Sequence, residues 1–238
     1  MSEGSGFCFL ANGSVLTAAH VVTGRMPIRS EDVAEPGIRI FAKFPSSPLL
    51  EYKVSLCAIT INVDVFSDDI QIDVAILVPK QSEVSLPHLV VNANSPELGD
   101  EVFMAGFPDE LILPFQIDKI LKKDFVGVSE FLDSMQKGYM ADMTGPLIKR
   151  AVVGNIRRIQ ASNPSQTINC DVFYLDNGMH SGASGGPVVN PNGEVVGLIT
   201  QRAITSASQL EDPNLSVPSG STICISLTAL LVLSQKAV

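Results

Sequence analysis

Gly182-Ala183-Ser184-Gly185-Gly186-Pro187 runs directly into the apolar pair Val188-Val189, and Asn190-Pro191-Asn192-Gly193 then leads into a second apolar run, Val195 to Thr200. Turn-forming residues between two apolar runs predict a β-hairpin. Glycines gathered around one serine predict a tight loop at its entrance, because glycine alone takes positive φ without steric cost. Such a loop can expose the Ser184 hydroxyl while the amides of Gly182 and Ser184 point at one spot. A serine hydroxyl attacks a carbonyl carbon only if a base removes its proton and preplaced N–H donors meet the oxyanion. A Gly/Ser surface turn has the same composition, so the loop alone does not decide the matter.

Two upstream stretches change the weight of that reading. Ser14 to Val22 sets one of only three histidines, His20, at the end of an apolar strand, where it is a candidate base. Gln71-Ile72-Asp73-Val74-Ala75-Ile76-Leu77 sets a single carboxylate inside an apolar run. A lone buried charge is costly, so Asp73 needs a partner. The loop acids Asp64, Asp68 and Asp69 are rival orienting groups in a less apolar context. His88, beside Pro87, reads as a surface residue; His180 precedes the serine by four positions and could line a cleft.

The order His, Asp, Ser is one of the chain orders in which the acyl-transfer triad occurs. With these contexts the chain resembles the trypsin/chymotrypsin-like serine peptidases. Gly4-Ser5-Gly6-Phe7, Thr17-Ala18-Ala19-His20-Val21-Val22, Leu98-Gly99-Asp100-Glu101-Val102, Gly106-Phe107-Pro108 and Asn192 to Gly197 look most like the high-temperature-requirement (Deg-type) branch, peptidase domain only. The resemblance implies an all-β fold of two six-stranded-type antiparallel barrels with a short C-terminal helix and a helical insertion. It implies a serine endopeptidase with His20, Asp73 and Ser184 as catalytic residues and the amides of Gly182 and Ser184 as oxyanion hole. Gly178, His180, Ser181, Thr200, Gln201 and Arg202 would bind substrate, with Gly178 near the base of a pocket suited to a small or medium apolar side chain and Arg202 either at its rim or reaching in to select acidic side chains. The alternative is a catalytically silent module that keeps the barrels and acts by binding. An esterase of the α/β-hydrolase class also uses Gly-x-Ser-x-Gly, but requires Ser before Asp before His and alternating helices.

Composition narrows the partners. Sixteen basic against 25 acidic residues give a net charge of −9, with no Lys/Arg-rich run to neutralise phosphates, so a nucleic-acid partner is not expected. Neither a membrane partner nor a cofactor or metal is expected: the apolar stretch 223–233 is too short to span a bilayer, and no His/Cys/Asp cluster has ligand spacing. A protein or peptide substrate remains. The four cysteines read as buried thiols, and the places where secreted relatives carry cysteines beside the histidine and before the serine hold Val21 and His180. Met1 to Gly4 has no signal-peptide pattern, so a cytoplasmic location is expected.

The 238 residues divide, on this reading, into an N-terminal lobe of about 4–86, a linker of about 87–97 and a C-terminal lobe of about 98–238, together one peptidase domain. The family has a strand before the Ser5 to Ala18 hairpin; here it is lost, replaced or supplied by another chain. The insertion 109–149 departs from the family pattern. Its Ser129 to Lys137 reads as a capped amphipathic helix with Phe131, Leu132 and Met135 on one face, either docked on the barrel or covering the cleft. In the secreted trypsin-like enzymes an aspartate before the serine pairs with a new N-terminus. Ala183 stands there, so no N-terminal processing is expected.

Overall fold

A computed structural model of the chain describes residues 4–29, 32, 39–62, 67, 69–81, 83–108, 125–130, 145–164, 166–207 and 215–230. Its regular structure is almost entirely antiparallel strand. The N-terminal lobe holds β1 (Gly6–Cys8), β2 (Val15–Thr17), β3 (Ile40–Ala42), β4 (Leu50–Ile61) and β5 (Ile70–Pro79), in the order β1-β2-β5-β4-β3. The C-terminal lobe holds β6 (Glu101–Gly106), β7 (Leu147–Asn163), β8 (Gln166–Leu175), β9 (Pro187–Val189), β10 (Val195–Ala207) and β11 (Leu215–Ser226), closed into a barrel as β10-β11-β8-β7-β6-β9. The double-barrel expectation is met. The first lobe is a curled sheet of five strands among the described residues, with β1 and β3 at its two ends.

The strand β5 shows why its sequence reads as an almost unbroken apolar run. Ile72, Val74 and Ile76 join the core shared with Phe7, Leu16, Leu198 and Ile225, so this face of the first lobe packs on the second. Ala75 and Leu77, on the other face, pack with Ala19, Ile28, Tyr52 and Leu50. A strand covered on both faces has no solvated side to mark with polar residues. Asp73 lies on the face of Ala75 and Leu77, beneath the short helix α1 (Ala19–Thr23). Each fully buried aliphatic side chain of this kind contributes about 1.5–3 kcal/mol.

Sequence-derived boundaries needed three corrections. His20 is not at a strand end: β2 stops at Thr17, and His20 sits in the first turn of α1. β10 continues past the apolar run that ends at Thr200 and pairs with β11 out to Ala207 opposite Leu215. At the C-terminus, where a short helix is expected, Leu227–Ala229 forms a 3-10 turn, and residues 231–238 lie outside the described residues. Phe131, Leu132 and Met135 lie outside them too. No helix among the described residues is long and apolar enough to cross a membrane.

All four cysteines are free thiols, with Cys8, Cys170 and Cys224 buried. Burial pushes the Cys57 and Cys170 thiols up to about 11, helped by the nearby carboxylates of Asp73 and Asp171 respectively, and raises Cys224 as well. Only the thiolate is nucleophilic, and at pH 8 a group of pKa about 11 is ionised to roughly one part in a thousand. Iodoacetamide at pH 8 is therefore expected to leave Cys170 and Cys224 unmodified in the native protein and to label all four cysteines in denaturant. Peptide mass mapping distinguishes this from labelling at equal rates in both states.

Candidate active site

Asp73 and His20 meet because β2 ends early. β2 pairs with β5 only as far as Thr17 opposite Ala75, so the edge of β5 at Asp73 is left to the first turn of α1. The N-cap of that helix is Ala18, which offers no capping side chain. The Asp73 carboxylate supplies the acceptor instead: Oδ1 takes the His20 backbone N–H at 2.9 Å and Oδ2 faces the His20 ring Nδ1 at 2.7 Å. The two contacts fix both the backbone and the ring of one residue. With Nδ1 directed at the carboxylate, Nε2 is the ring nitrogen left to face other groups. Both side chains are partly shielded, His20 at 29% and Asp73 at 15% exposure, so the pair is neither freely screened nor sealed from water. Of the rival acids, Asp69 accepts from Asn62 Nδ2 at 2.8 Å, and Asp64 and Asp68 lie outside the described residues.

The serine loop is held between the lobes. Gly185 has φ +86° and donates its N–H to the Ile199 carbonyl at 2.7 Å, while Ile199 N–H returns to Gly186 O at 2.9 Å. A Cβ on Gly185 would stand 2.1 Å from the Ser5 carbonyl oxygen and 2.3 Å from Thr17 Oγ1. Backbone therefore passes backbone where no side chain fits. Gly182, at φ +85°, is the third residue of a turn closed by Ala183 N–H to His180 O at 3.3 Å, a position that requires positive φ in a type II turn. Neither the Gly182 nor the Ser184 N–H is given to another group among the described residues. The Ser184 hydroxyl donates to the Thr200 carbonyl at 2.9 Å.

His20, Asp73, His180, Ser181, Ser184, Thr200, Gln201 and Arg202 all line one cleft of about 450 Å³. Gly178 does not. It is pressed against the Gly220 backbone, where an added Cβ would come within 3.1 Å, and its carbonyl accepts from Lys149 Nζ. The wall beside it is Met179, 2% exposed, together with Ile199. Thr222 Oγ1, fully buried, accepts the Met179 N–H and donates to Asn177 O, both at 2.8 Å, which fixes the Met179 backbone. Met179 falls within the stretch from Asp176 to Ser181 that sequence matches to the pocket wall, whereas Met26, Ile204 and Pro218 were missed as cleft residues. Apolar side chains give no sign in sequence of whether they face a core or a cleft. His88 is exposed, as read. No cluster of three or more metal-ligating side chains occurs among the described residues.

A family model described as the trypsin-like peptidase domain matches residues 4–198. The chain belongs to the trypsin-like peptidase family. Among solved structures of similar fold, the active form of the Rv3671c protease from M. tuberculosis is 20% identical, with 99% of this chain and 73% of that one covered and a TM-score of 0.53. The HtrA-type protease AlgW, solved with a decapeptide, is 17% identical at a TM-score of 0.52, over 98% of this chain and half of that one. The MamO protease domain from Magnetospirillum magneticum is 16% identical at a TM-score of 0.50, covering 98% and 87%. No curated protein matches the chain. At these identities the structural likenesses show the fold alone.

Two glycines with nearly the same φ separate packing from conformation. Gly193→Ala, at φ +83° with nothing within 4 Å, should cost about 1 kcal/mol from backbone strain alone. Gly185→Ala adds the backbone collision and should cost about 3 kcal/mol or more. Denaturant midpoints at unchanged m-value measure both, and equal losses would contradict the close approach.

Proposed function

We propose that this domain is a serine endopeptidase that hydrolyses peptide bonds through an acyl-enzyme. The observation that carries the reading is the two-point grip of Asp73 on His20, at 2.9 and 2.7 Å, in the same cleft as Ser184. Asp73 holds the tautomer in which Nδ1 bears the proton and Nε2 is free to act as base. Ser184 leaves its hydrogen bond to the Thr200 carbonyl by rotation about χ1, gives its proton to His20 Nε2, and attacks the scissile carbonyl carbon. The Gly182 and Ser184 amides receive the oxyanion. The imidazolium protonates the leaving amine, and water, deprotonated by the same nitrogen, releases the acid. A catalytically silent binding module is the second reading, favoured by the Ser184 to Thr200 bond, which engages the hydroxyl away from the base. Free enzymes often close the serine to histidine contact only on binding substrate.

Substrate has an edge to join. β9 covers β10 only to Leu198, which leaves Thr200, Gln201 and Arg202 at the cleft on that side. An extended peptide can add there as a strand, its backbone giving affinity and its side chains specificity. Met179 and Ile199 limit the pocket to a small or medium apolar side chain, since a Lys or Arg would meet no carboxylate in the described lining other than Asp73, which His20 already engages.

Three measurements test this. Ser184→Ala and His20→Ala should each lower peptide hydrolysis by about a thousandfold or more, with Asp73→Asn less severe, in proteins that stay folded. An organophosphonate should add its mass to the wild type and not to Ser184→Ala; wild-type hydrolysis by Ser184→Ala would end the assignment. In a peptide library, cleavage should follow small or medium apolar residues and shift to larger ones in Met179→Ala. Cleavage after Lys or Arg would overturn the pocket assignment.

A further inference from the structure

Ala183 is fully buried against Gly106, with no carboxylate to anchor the loop that carries the two oxyanion amides. Something else must fix that loop, because Gly182 is the residue type with the widest choice of backbone conformations. We propose that Ser5 is the positioning residue that holds the oxyanion loop in working shape, an inference that rests on the peptidase reading above.

Ser5 is 5% exposed and spends every polar group it has. Its hydroxyl donates to the Gly182 carbonyl at 2.8 Å and accepts the Phe107 N–H at 2.8 Å. Its own N–H donates to the Ser184 carbonyl at 2.8 Å, and its carbonyl accepts the Thr17 hydroxyl at 2.7 Å. Gly182 and Ser184 are the two residues whose amides would meet the oxyanion, and the carbonyl of each is held by Ser5. The Gly182 carbonyl shares a peptide plane with the Ala183 N–H, which is bonded to His180 O on the opposite side at 3.3 Å. That plane is therefore gripped at both edges, and it cannot rotate without leaving a buried hydroxyl and a carbonyl unpaired. Thr17 carries the same anchor to the end of β2, three residues before His20. Base and oxyanion loop are in this way referred to one residue of the N-terminal lobe.

The test is Ser5→Ala and Ser5→Thr, read by kcat, KM and the affinity of a peptide boronate, whose adduct with Ser184 places a negative oxygen at the oxyanion position. Ser5→Ala should lose about ten- to a hundredfold in kcat and in boronate affinity with KM within about twofold, and Ser5→Thr should recover most of the loss. A core variant of equal melting temperature far from the loop, such as Ile168→Val, should show no such split. Ser5→Cys has a similar shape and a far weaker donor, and it decides the matter if the alanine protein does not fold. Wild-type kcat and boronate affinity in folded Ser5→Ala or Ser5→Cys would overturn the role of Ser5 and leave the peptidase reading standing. A kcat loss matched by Ile168→Val would do the same. A wild type that neither hydrolyses peptides nor takes the boronate would overturn both.

Discussion

The carboxylate of Asp73 is the point on which the arrangement depends. It lies in a strand buried on both faces, where an unshared charge would be several kcal/mol too expensive. Its cost is offset by doing two structural tasks at once, capping a helix that has no capping side chain and orienting the imidazole in the first turn of that helix. A neutral amide in its place would keep the shape and could keep one bond, but it would present an N–H where the ring needs an acceptor, or reverse the tautomer. The short β2 is the geometric condition for all of this, since one more paired residue would cover the edge of β5 that the helix now uses.

How much of this was legible in the sequence differs by residue for physical reasons. Asp73 stood out because a charge in an apolar run is an anomaly with few solutions, and Ser184 because glycine spacing is a local property. The double-barrel fold followed from strand periodicity and turn residues together with a family resemblance. His20 was found as a residue and misplaced as an element: Ala18-Ala19-His20-Val21-Val22 is apolar enough to continue a strand, and a one-turn helix has no periodicity to show. Gly178 was placed at the pocket base by position in a motif, yet what excludes it is the backbone of Gly220, a contact between segments that sequence does not pair. Its neighbour Met179, in the same stretch, lines the cleft instead. Ser5 entered only as part of the Gly4-Ser5-Gly6-Phe7 motif; its use lies in a bond to a residue 177 positions away, and no local pattern encodes such a partner.

The two lobes are not independent carriers of the site. Ile72 and Val74 from one and Leu198 and Ile225 from the other share a single core, and the tip of β7–β8 reaches back to the first lobe through Asn163 Nδ2 to Asn62 O at 3.2 Å. The cleft lies where the lobes meet, so the relative placement of its walls is set by apolar packing rather than by a hinge.

The Ser5 to Gly182 bond joins residues 177 positions apart, and the Asp73 to His20 pair, though closer in sequence, belongs to a lobe whose second face is covered only by the later strands. Closing loops of that length precedes the contacts that reward it, which makes such topologies slow to fold. During synthesis the histidine and aspartate leave the ribosome long before the serine, and a chain stopped anywhere short of β10 lacks Ile199, whose carbonyl accepts the Gly185 N–H and whose N–H donates to Gly186 O. The complete cleft thus arises in a single late event, after the barrel closes, and a chain still being made holds His20 and Asp73 without the loop that brings Ser184 beside them.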